Sequence, residues 1–102
     1  MTDLGLNKKD LEAINAVFLT NPKIESVKIF GSRAKGNYRK NSDIDLVLMG
    51  KISQLDGEKI ASDLDDLALP YLFDVKIFSE INSAELLDHI NRVGIFIYNA
   101  KQ

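Results

Sequence analysis

The segment 28–50 constrains the fold of this chain more than any other. It leaves an apolar run at Gly31 and Ser32, crosses a basic segment, and enters a second apolar run with Asp43 and Asp45. Two short apolar runs that end at such breaks are typical of β-strands. A charge at the entrance of a buried strand loses hydration, so the two aspartates need a reason beyond folding.

Length and composition restrict the chain to a small folded protein. With 102 residues, of which 45% are hydrophobic and 27% charged, we expect one globular domain over residues 1–102. The chain has no cysteine and one histidine, which excludes a thiolate zinc site and a histidine cluster. Any metal must therefore be held by oxygen atoms. A charged N-terminal segment, and no apolar run approaching ~20 residues, predict a cytoplasmic protein.

The order of elements predicts an α/β or α+β domain in which helices pack on a small sheet. Segments 24–30, 44–49, 71–78 and 95–99 have the composition of strands. Because the second of these is almost wholly apolar, we expect it in the centre of the sheet. Helices are predicted from Asn7 to Asn21, from Ser53 to Leu69, and from a capping box at Asn82 and Glu85 to Gly94.

Three aspartates are candidates for a metal site. Asp43 and Asp45 are two positions apart, so on an extended chain they project to the same face, about 7 Å apart. Asp74 lies inside the next predicted strand and is a candidate third carboxylate. Hard cations such as Mg²⁺ bind carboxylate oxygens and are completed by substrate phosphates. Two such ions about 4 Å apart are suited to in-line phosphoryl transfer, in which Asp74 would also orient the attacking hydroxyl.

The Gly31-Ser32 turn is a candidate phosphate site. A glycine permits close approach to a phosphate, backbone N–H groups can point at it, and the serine adds a hydroxyl. Arg33 is a further candidate, because a guanidinium binds phosphate in a fork-like contact. The segment between Glu25 and Asp43 contains no acid, and this basic window favours a local attraction for phosphate. Its basic residues are Lys28, Arg33, Lys35, Arg39 and Lys40.

Simpler interpretations exist for each feature taken alone. An Asp-x-Asp pair is common in turns, where aspartate bonds the nearby backbone, and loop arginines and lysines often serve only solubility. The spacing of Gly31 and Gly36 imitates a P-loop, but Asn37 and Tyr38 stand where that motif requires Lys and Ser or Thr. His89 is interpreted as a surface or boundary residue. Only the combination of these features indicates a nucleotide site.

In combination the residues resemble the polymerase-beta-type nucleotidyltransferase superfamily, and within it the minimal nucleotidyltransferases. The shared signature is Gly31-Ser32, ten intervening residues, and then Asp43-Ile44-Asp45. The flanking sequences "FGSRAKG" and "SDIDLVL" are similar to the family as well, and so is "FDV" around Asp74. The resemblance covers nearly the whole chain. The substrate-binding regions that larger members carry beyond the core have no counterpart here.

The resemblance implies both a fold and an activity. The fold would be a small mixed sheet flanked by helices. The activity would be Mg²⁺-dependent transfer of a nucleoside monophosphate from a nucleoside triphosphate, such as AMP from ATP, to a hydroxyl. Gly31 and Ser32 would bind the triphosphate, with Arg33 as a further candidate, and Asp43, Asp45 and Asp74 would hold two metal ions. Members of this size resemble antitoxins whose partner is a small, all-helical HEPN toxin.

Three functional hypotheses follow. The first is a nucleotidyltransferase that modifies a HEPN-type partner. The second is a non-catalytic, nucleotide-binding antitoxin or regulatory subunit that acts by forming a complex. The third is an enzyme that modifies nucleic acid, guided by the basic window. The sequence leaves the base, the acceptor hydroxyl and any oligomer open.

Overall fold

The computed structural model describes residues 4–39 and 43–100 and contains four helices and four strands in that part of the chain. The N-terminal half comprises α1 (Lys8–Phe18), β1 (Ile24–Phe30), α2 (Gly31–Lys35) and β2 (Ile44–Gly50). The C-terminal half comprises α3 (Gln54–Asp65), β3 (Phe73–Ile77), a 3₁₀ turn (Phe78–Glu80), α4 (Ala84–Val93) and β4 (Ile95–Asn99). All four predicted strands and all three predicted helices are present.

The sheet is mixed, with strand order β3-β2-β1-β4. Strand β1 pairs antiparallel with both β2 and β4, whereas β2 and β3 are parallel and joined through α3. The position of β2 between two neighbours confirms its predicted central place. Its apolar side chains Ile44, Leu46, Val47 and Leu48 are all fully buried. A strand with apolar residues on both faces requires cover on both sides.

Helices cover the two faces of the sheet unequally. The larger core joins one face to α1 and α3 through Ile14, Phe18, Ile60 and Leu64. The smaller core lies on the opposite face, where Ile90 of α4 packs on Phe30 and Val47. Helix α4 is therefore the element that faces the same side of the sheet as Phe30 and the odd-numbered residues of β2.

Two local predictions differ from the structure. The segment that begins at Gly31 was expected to be a turn and a basic loop, but its first five residues form the short helix α2, which is followed by Gly36 in the left-handed conformation (φ 85°). Helix α4 is capped by Ser83 rather than by Asn82, since the Ser83 Oγ accepts a hydrogen bond from the Leu86 N–H at 3.1 Å. Lys40 lies outside the described residues.

None of the helices in the described ranges is long and apolar enough to cross a membrane.

Candidate active site

The register of the sheet brings two of the predicted aspartates side by side. Asp45 of β2 is the direct partner of Asp74 on β3 and of Phe30 on β1. Side chains of directly paired residues share a face, so the three form a row across the sheet on the side of α4. Because Phe30 is followed at once by Gly31, Asp45 lies between Asp74 and the Gly31-Ser32 turn.

The three aspartates differ in exposure. Asp45 is half-buried, whereas Asp74 on the edge strand and Asp43, directly before β2, are exposed. The Oδ2 of Asp74 lies 3.6 Å from the Nζ of Lys76, two residues further along β3. Lys76 thus joins the site from the same face of the same strand.

The electrostatics of Asp45 reflect this crowding. Burial is the largest cause that raises the pKa of the Asp45 carboxyl above its ordinary value, and the negative charges of Asp74 and then Asp43 raise it further. Lys76 and His89 partly offset that rise in pKa. Asp43 and Asp74 are therefore close enough to Asp45 for their negative charges to repel its carboxylate.

The donor chemistry of this cluster fits a hard divalent cation, because acidic oxygens that repel each other are stabilised by a shared positive charge. The side-chain arrangement is not that of a formed metal site, however. Among the described residues, no group of three histidine, cysteine, aspartate or glutamate side chains is arranged to hold a metal ion. The Lys76 ammonium occupies one side of Asp74 instead.

Gly31 is in direct contact with Asp45. Its φ of +74° lies in the left-handed region that favours glycine, and a Cβ built there would overlap the Oδ2 of Asp45. The Gly31 N–H donates a hydrogen bond to the Nε2 of His89 at 3.2 Å. Glycine is thus required at this position both for its conformation and for the space that the carboxylate occupies.

His89 is a residue of the site that the sequence interpretation missed. It is a boundary residue as expected, since its side chain is half-buried. Its ring, however, meets the Phe30 ring edge-on, with centroids 6.1 Å apart and an interplanar angle of 80°. The helical period carried a signal, because His89 is three residues after Leu86 and next to Ile90, on the apolar side of α4.

Arg33 is placed differently from the expectation that it binds phosphate. Its side chain is only 1% exposed, and its Nη1 donates to the carbonyl oxygen of Leu4 at 3.0 Å. The guanidinium also lies over the rings of Tyr38 and Tyr71, 5.1 and 5.2 Å from their centroids. The Tyr71 hydroxyl in turn donates to Asp10 at 2.9 Å. These contacts give Arg33 a packing role that links α2 to the N-terminal segment.

A cavity of about 470 Å³ lies at the outer edge of β3, between α3 and the start of α4. Its lining includes Gly57, Glu58, Lys76, Glu80 and Leu86, but none of the three aspartates. The candidate active site is therefore an open surface of the sheet beside this cavity, and Lys76 is the residue that belongs to both.

Several solved structures share this fold. A mutant of the MntA-HpeT toxin–antitoxin system matches with a TM-score of 0.74 and 22% identity, over 95% of this chain and 77% of the other. A toxin–antitoxin structure with AMP-PNP matches with a TM-score of 0.72 and 22% identity, over 95% and 77%. A tri-AMPylated Shewanella oneidensis HEPN toxin in complex with an MNT antitoxin gives a TM-score of 0.70 and 18% identity, over 95% and 76%.

A comparison with curated proteins gives no significant match. The family model described as polymerase beta, nucleotidyltransferase, in contrast, matches residues 12–102. That range includes the Gly31-Ser32 turn and all three aspartates, and both the predicted fold class and the resemblance drawn from these motifs are confirmed. The chain belongs to the polymerase beta nucleotidyltransferase family.

Proposed function

We propose that this protein is a Mg²⁺-dependent nucleotidyltransferase that transfers AMP from ATP to a hydroxyl group of a HEPN-type partner protein. The observation that carries the proposal is the pairing of Asp45 with Asp74 on adjacent parallel strands, directly beside the Gly31-Ser32 turn. This arrangement places acidic oxygens beside a candidate phosphate-binding turn on one face of the sheet.

Asp43, Asp45 and Asp74 are the residues that would hold two Mg²⁺ ions. Bound there, the ions supply positive charge for the oxygen atoms that attack and leave during phosphoryl transfer. The raised pKa of Asp45 supports this role, because burial and then the negative charges of Asp74 and Asp43 disfavour its ionised form, which a bound cation would stabilise.

The reaction would form one bond and break another. The acceptor hydroxyl oxygen attacks the α-phosphorus of ATP, the bond to the bridging oxygen of the β-phosphate breaks, and pyrophosphate leaves. Asp74 would orient the hydroxyl and accept its proton. Ser32 would bind the triphosphate through its hydroxyl and N–H, since the Gly31 N–H is already bonded to His89. A nucleotide-binding role for Arg33 stays a prediction that its burial does not favour.

The choice of ATP and of a HEPN partner is supported by the structural neighbours. One of them carries AMP-PNP, and another contains a tri-AMPylated HEPN toxin with an MNT antitoxin. This chain has the same fold. A partner that holds the hydroxyl in place would supply the orientation that the transfer requires.

The experiment is a labelling assay. The purified protein is incubated with Mg²⁺, α-labelled ATP and the protein encoded by the adjacent gene, and the label on protein is measured. We expect Asp45→Asn and Asp74→Asn each to reduce labelling at least about a hundredfold, the scale of losing a group that stabilises the transition state. Asp65→Asn, an exposed acid at the end of α3, is the matched control and should label like the wild type.

Three outcomes would redirect the proposal. Labelling that survives both active-site substitutions would rule out this site. No labelling by any variant, with a stable complex still formed, would favour the non-catalytic antitoxin. Label found on RNA instead of protein, with a steep dependence on salt, would favour nucleic acid as the acceptor.

A further inference from the structure

The contact between His89 and Gly31 joins residues 58 positions apart in the chain. The Gly31 N–H donates and Nε2 of the imidazole accepts, at 3.2 Å. Gly31 is the first residue of α2, and the residue before it, Phe30, provides no side-chain cap. His89 therefore satisfies the first amide of this short helix in place of a local cap.

The position of the imidazole is fixed by the rest of α4. Ile90, the next residue, is fully buried against Phe30 and Val47, and Ser83 caps the helix at its start. The His89 ring is also in edge contact with Phe30. A side chain held on a packed helix can hold a loop atom in one place, because its own rotamer is restricted by packing.

Gly31 needs such a constraint more than any other residue of the turn. Glycine has the largest conformational freedom to lose, and here it adopts φ +74° while the Asp45 carboxylate lies against its Cα. The imidazole and the carboxylate thus hold Gly31 from two sides. The backbone conformation of Gly31 links its own N–H to the next peptide group. It therefore determines where the N–H and hydroxyl of Ser32 point.

We propose that His89 is a positioning residue for the nucleotide site, which holds the Gly31-Ser32 turn in the conformation that binds the triphosphate. This inference rests on the proposed function and adds a residue to it. Its consequence is specific: loss of the acceptor at position 89 weakens binding of ATP while the rate at saturating ATP is retained. A group that took part in the chemistry would have the opposite effect, on kcat.

The kinetic test compares three variants with the wild type, with ATP and Mg²⁺ varied over a fixed amount of the protein partner. His89→Leu keeps the bulk but removes the acceptor, and His89→Gln places an amide oxygen at about the reach of Nε2. We expect KM for ATP to rise about five- to tenfold in His89→Leu, the effect of one lost hydrogen bond of typical strength, and to return to within about twofold in His89→Gln. Asn91→Ala, an exposed residue on the same helix, is the control and should match the wild type.

A spectroscopic test addresses the contact itself. In uniformly ¹⁵N-labelled wild-type protein, a scalar coupling across the hydrogen bond should connect the Gly31 amide nitrogen with Nε2 of His89. Absence of that coupling would overturn the inference. Because this measurement uses the wild type, it still tests the contact if His89→Leu fails to fold.

The outcomes separate this inference from the proposed function. If the wild type transfers label but His89→Leu has an unchanged KM, or loses kcat alone, the inference fails and the proposed function stands. If the wild type transfers no label to any acceptor, the proposed function fails and the inference fails with it. A raised KM that Gln restores supports both.

Discussion

At the scale of the residue, Gly31 is the position where fold and chemistry constrain each other most closely. Replacement by alanine forces a side chain into the left-handed region and against the Asp45 carboxylate. The conformation alone costs about 1–2 kcal/mol, and the overlap displaces the carboxylate. We expect Gly31→Ala to lose most labelling activity and to lower the free energy of unfolding by more than the conformational cost.

Gly36 offers a matched control for this prediction. It too has a positive φ, of 85°, but a Cβ there meets no atom within 4 Å. Gly36→Ala should therefore show the conformational cost without the loss of activity. Urea denaturation and the labelling assay measure the two effects separately. Equal activity losses in both variants would show that backbone strain, and not contact with Asp45, explains the effect of Gly31→Ala.

Asp45 gives a prediction about pH. Its pKa is raised in the folded protein above the value of about 3.9 expected for the unfolded chain. Folding then favours the protonated carboxyl. Its contribution to the free energy of unfolding is fully present below about pH 3.9 and is lost as the pH rises through the folded-state pKa. Without Mg²⁺, Asp45→Asn should be more stable than the wild type at pH 7.

The test is urea denaturation in EDTA at pH 7 and at about pH 3, the latter below the unfolded-state pKa. The difference between Asp45→Asn and the wild type should shrink at the lower pH, where the wild-type carboxyl is neutral in both states. Asp65→Asn serves again as control. A wild type that is the more stable protein at pH 7 would contradict the prediction.

The residues also show what the sequence permits one to predict. The Gly-Ser turn and the three aspartates were predicted from their spacing along the chain, and the sheet places Asp45 beside Asp74 and Gly31. The burial of Arg33 and the contact of His89 with Gly31 were not predicted, because both depend on distant segments. Leu4 and Tyr71 enclose the guanidinium, and Gly31 meets the imidazole, through contacts that no local pattern encodes.

At the scale of the element, the N-terminal cap of α4 matters for the candidate site, because this helix carries His89. The Ser83 Oγ caps the helix, whereas Asn82 lies one residue outside it. We expect Ser83→Ala to lower the free energy of unfolding by about 1 kcal/mol, the usual cost of a lost N-cap. Asn82→Ala should change it by less than about 0.5 kcal/mol. Denaturation curves of the two variants, compared at equal m-value, test the assignment, and the reverse order would restore Asn82 as the cap.

Some elements of this fold are easier to predict from the sequence than others. The strands and the three longer helices have enough residues for a period or an apolar run to be visible. Helix α2 has five residues, fewer than two turns, so no periodicity distinguishes it from a loop. The adjacent serine at position 83 and asparagine at position 82 are both good caps, and only the geometry of the helix start separates them.

At the scale of the whole molecule, the sheet places like charges together on one face. The parallel pairing of β2 with β3 sets Asp45 against Asp74, and both lie on the open face beside α4. The repulsion between these carboxylates destabilises the protein when no ligand is bound. Binding of Mg²⁺ and ATP would remove it, so ligand and stability are linked.

This linkage gives a prediction about the order of stabilities. A ligand at a hundred times its Kd stabilises the folded state by about 2.7 kcal/mol, and each kcal/mol raises the Tm of a domain of this size by about 4–8 °C. In EDTA the Asp45→Asn variant should have the higher Tm. With Mg²⁺ and saturating ATP the wild type should overtake it, because only the wild type retains the full set of carboxylates.

Thermal unfolding of the wild type, Asp45→Asn and Asp65→Asn under both conditions tests this reversal. Asp65→Asn should follow the wild type throughout, since its change of charge is the same but lies outside the site. Equal stabilisation of the wild type and Asp45→Asn by Mg²⁺ and ATP would mean that the ligands bind elsewhere. If only Asp45→Asn shows the reversal, the repulsion between the carboxylates and its relief by Mg²⁺ and ATP both arise at this one cluster on the sheet.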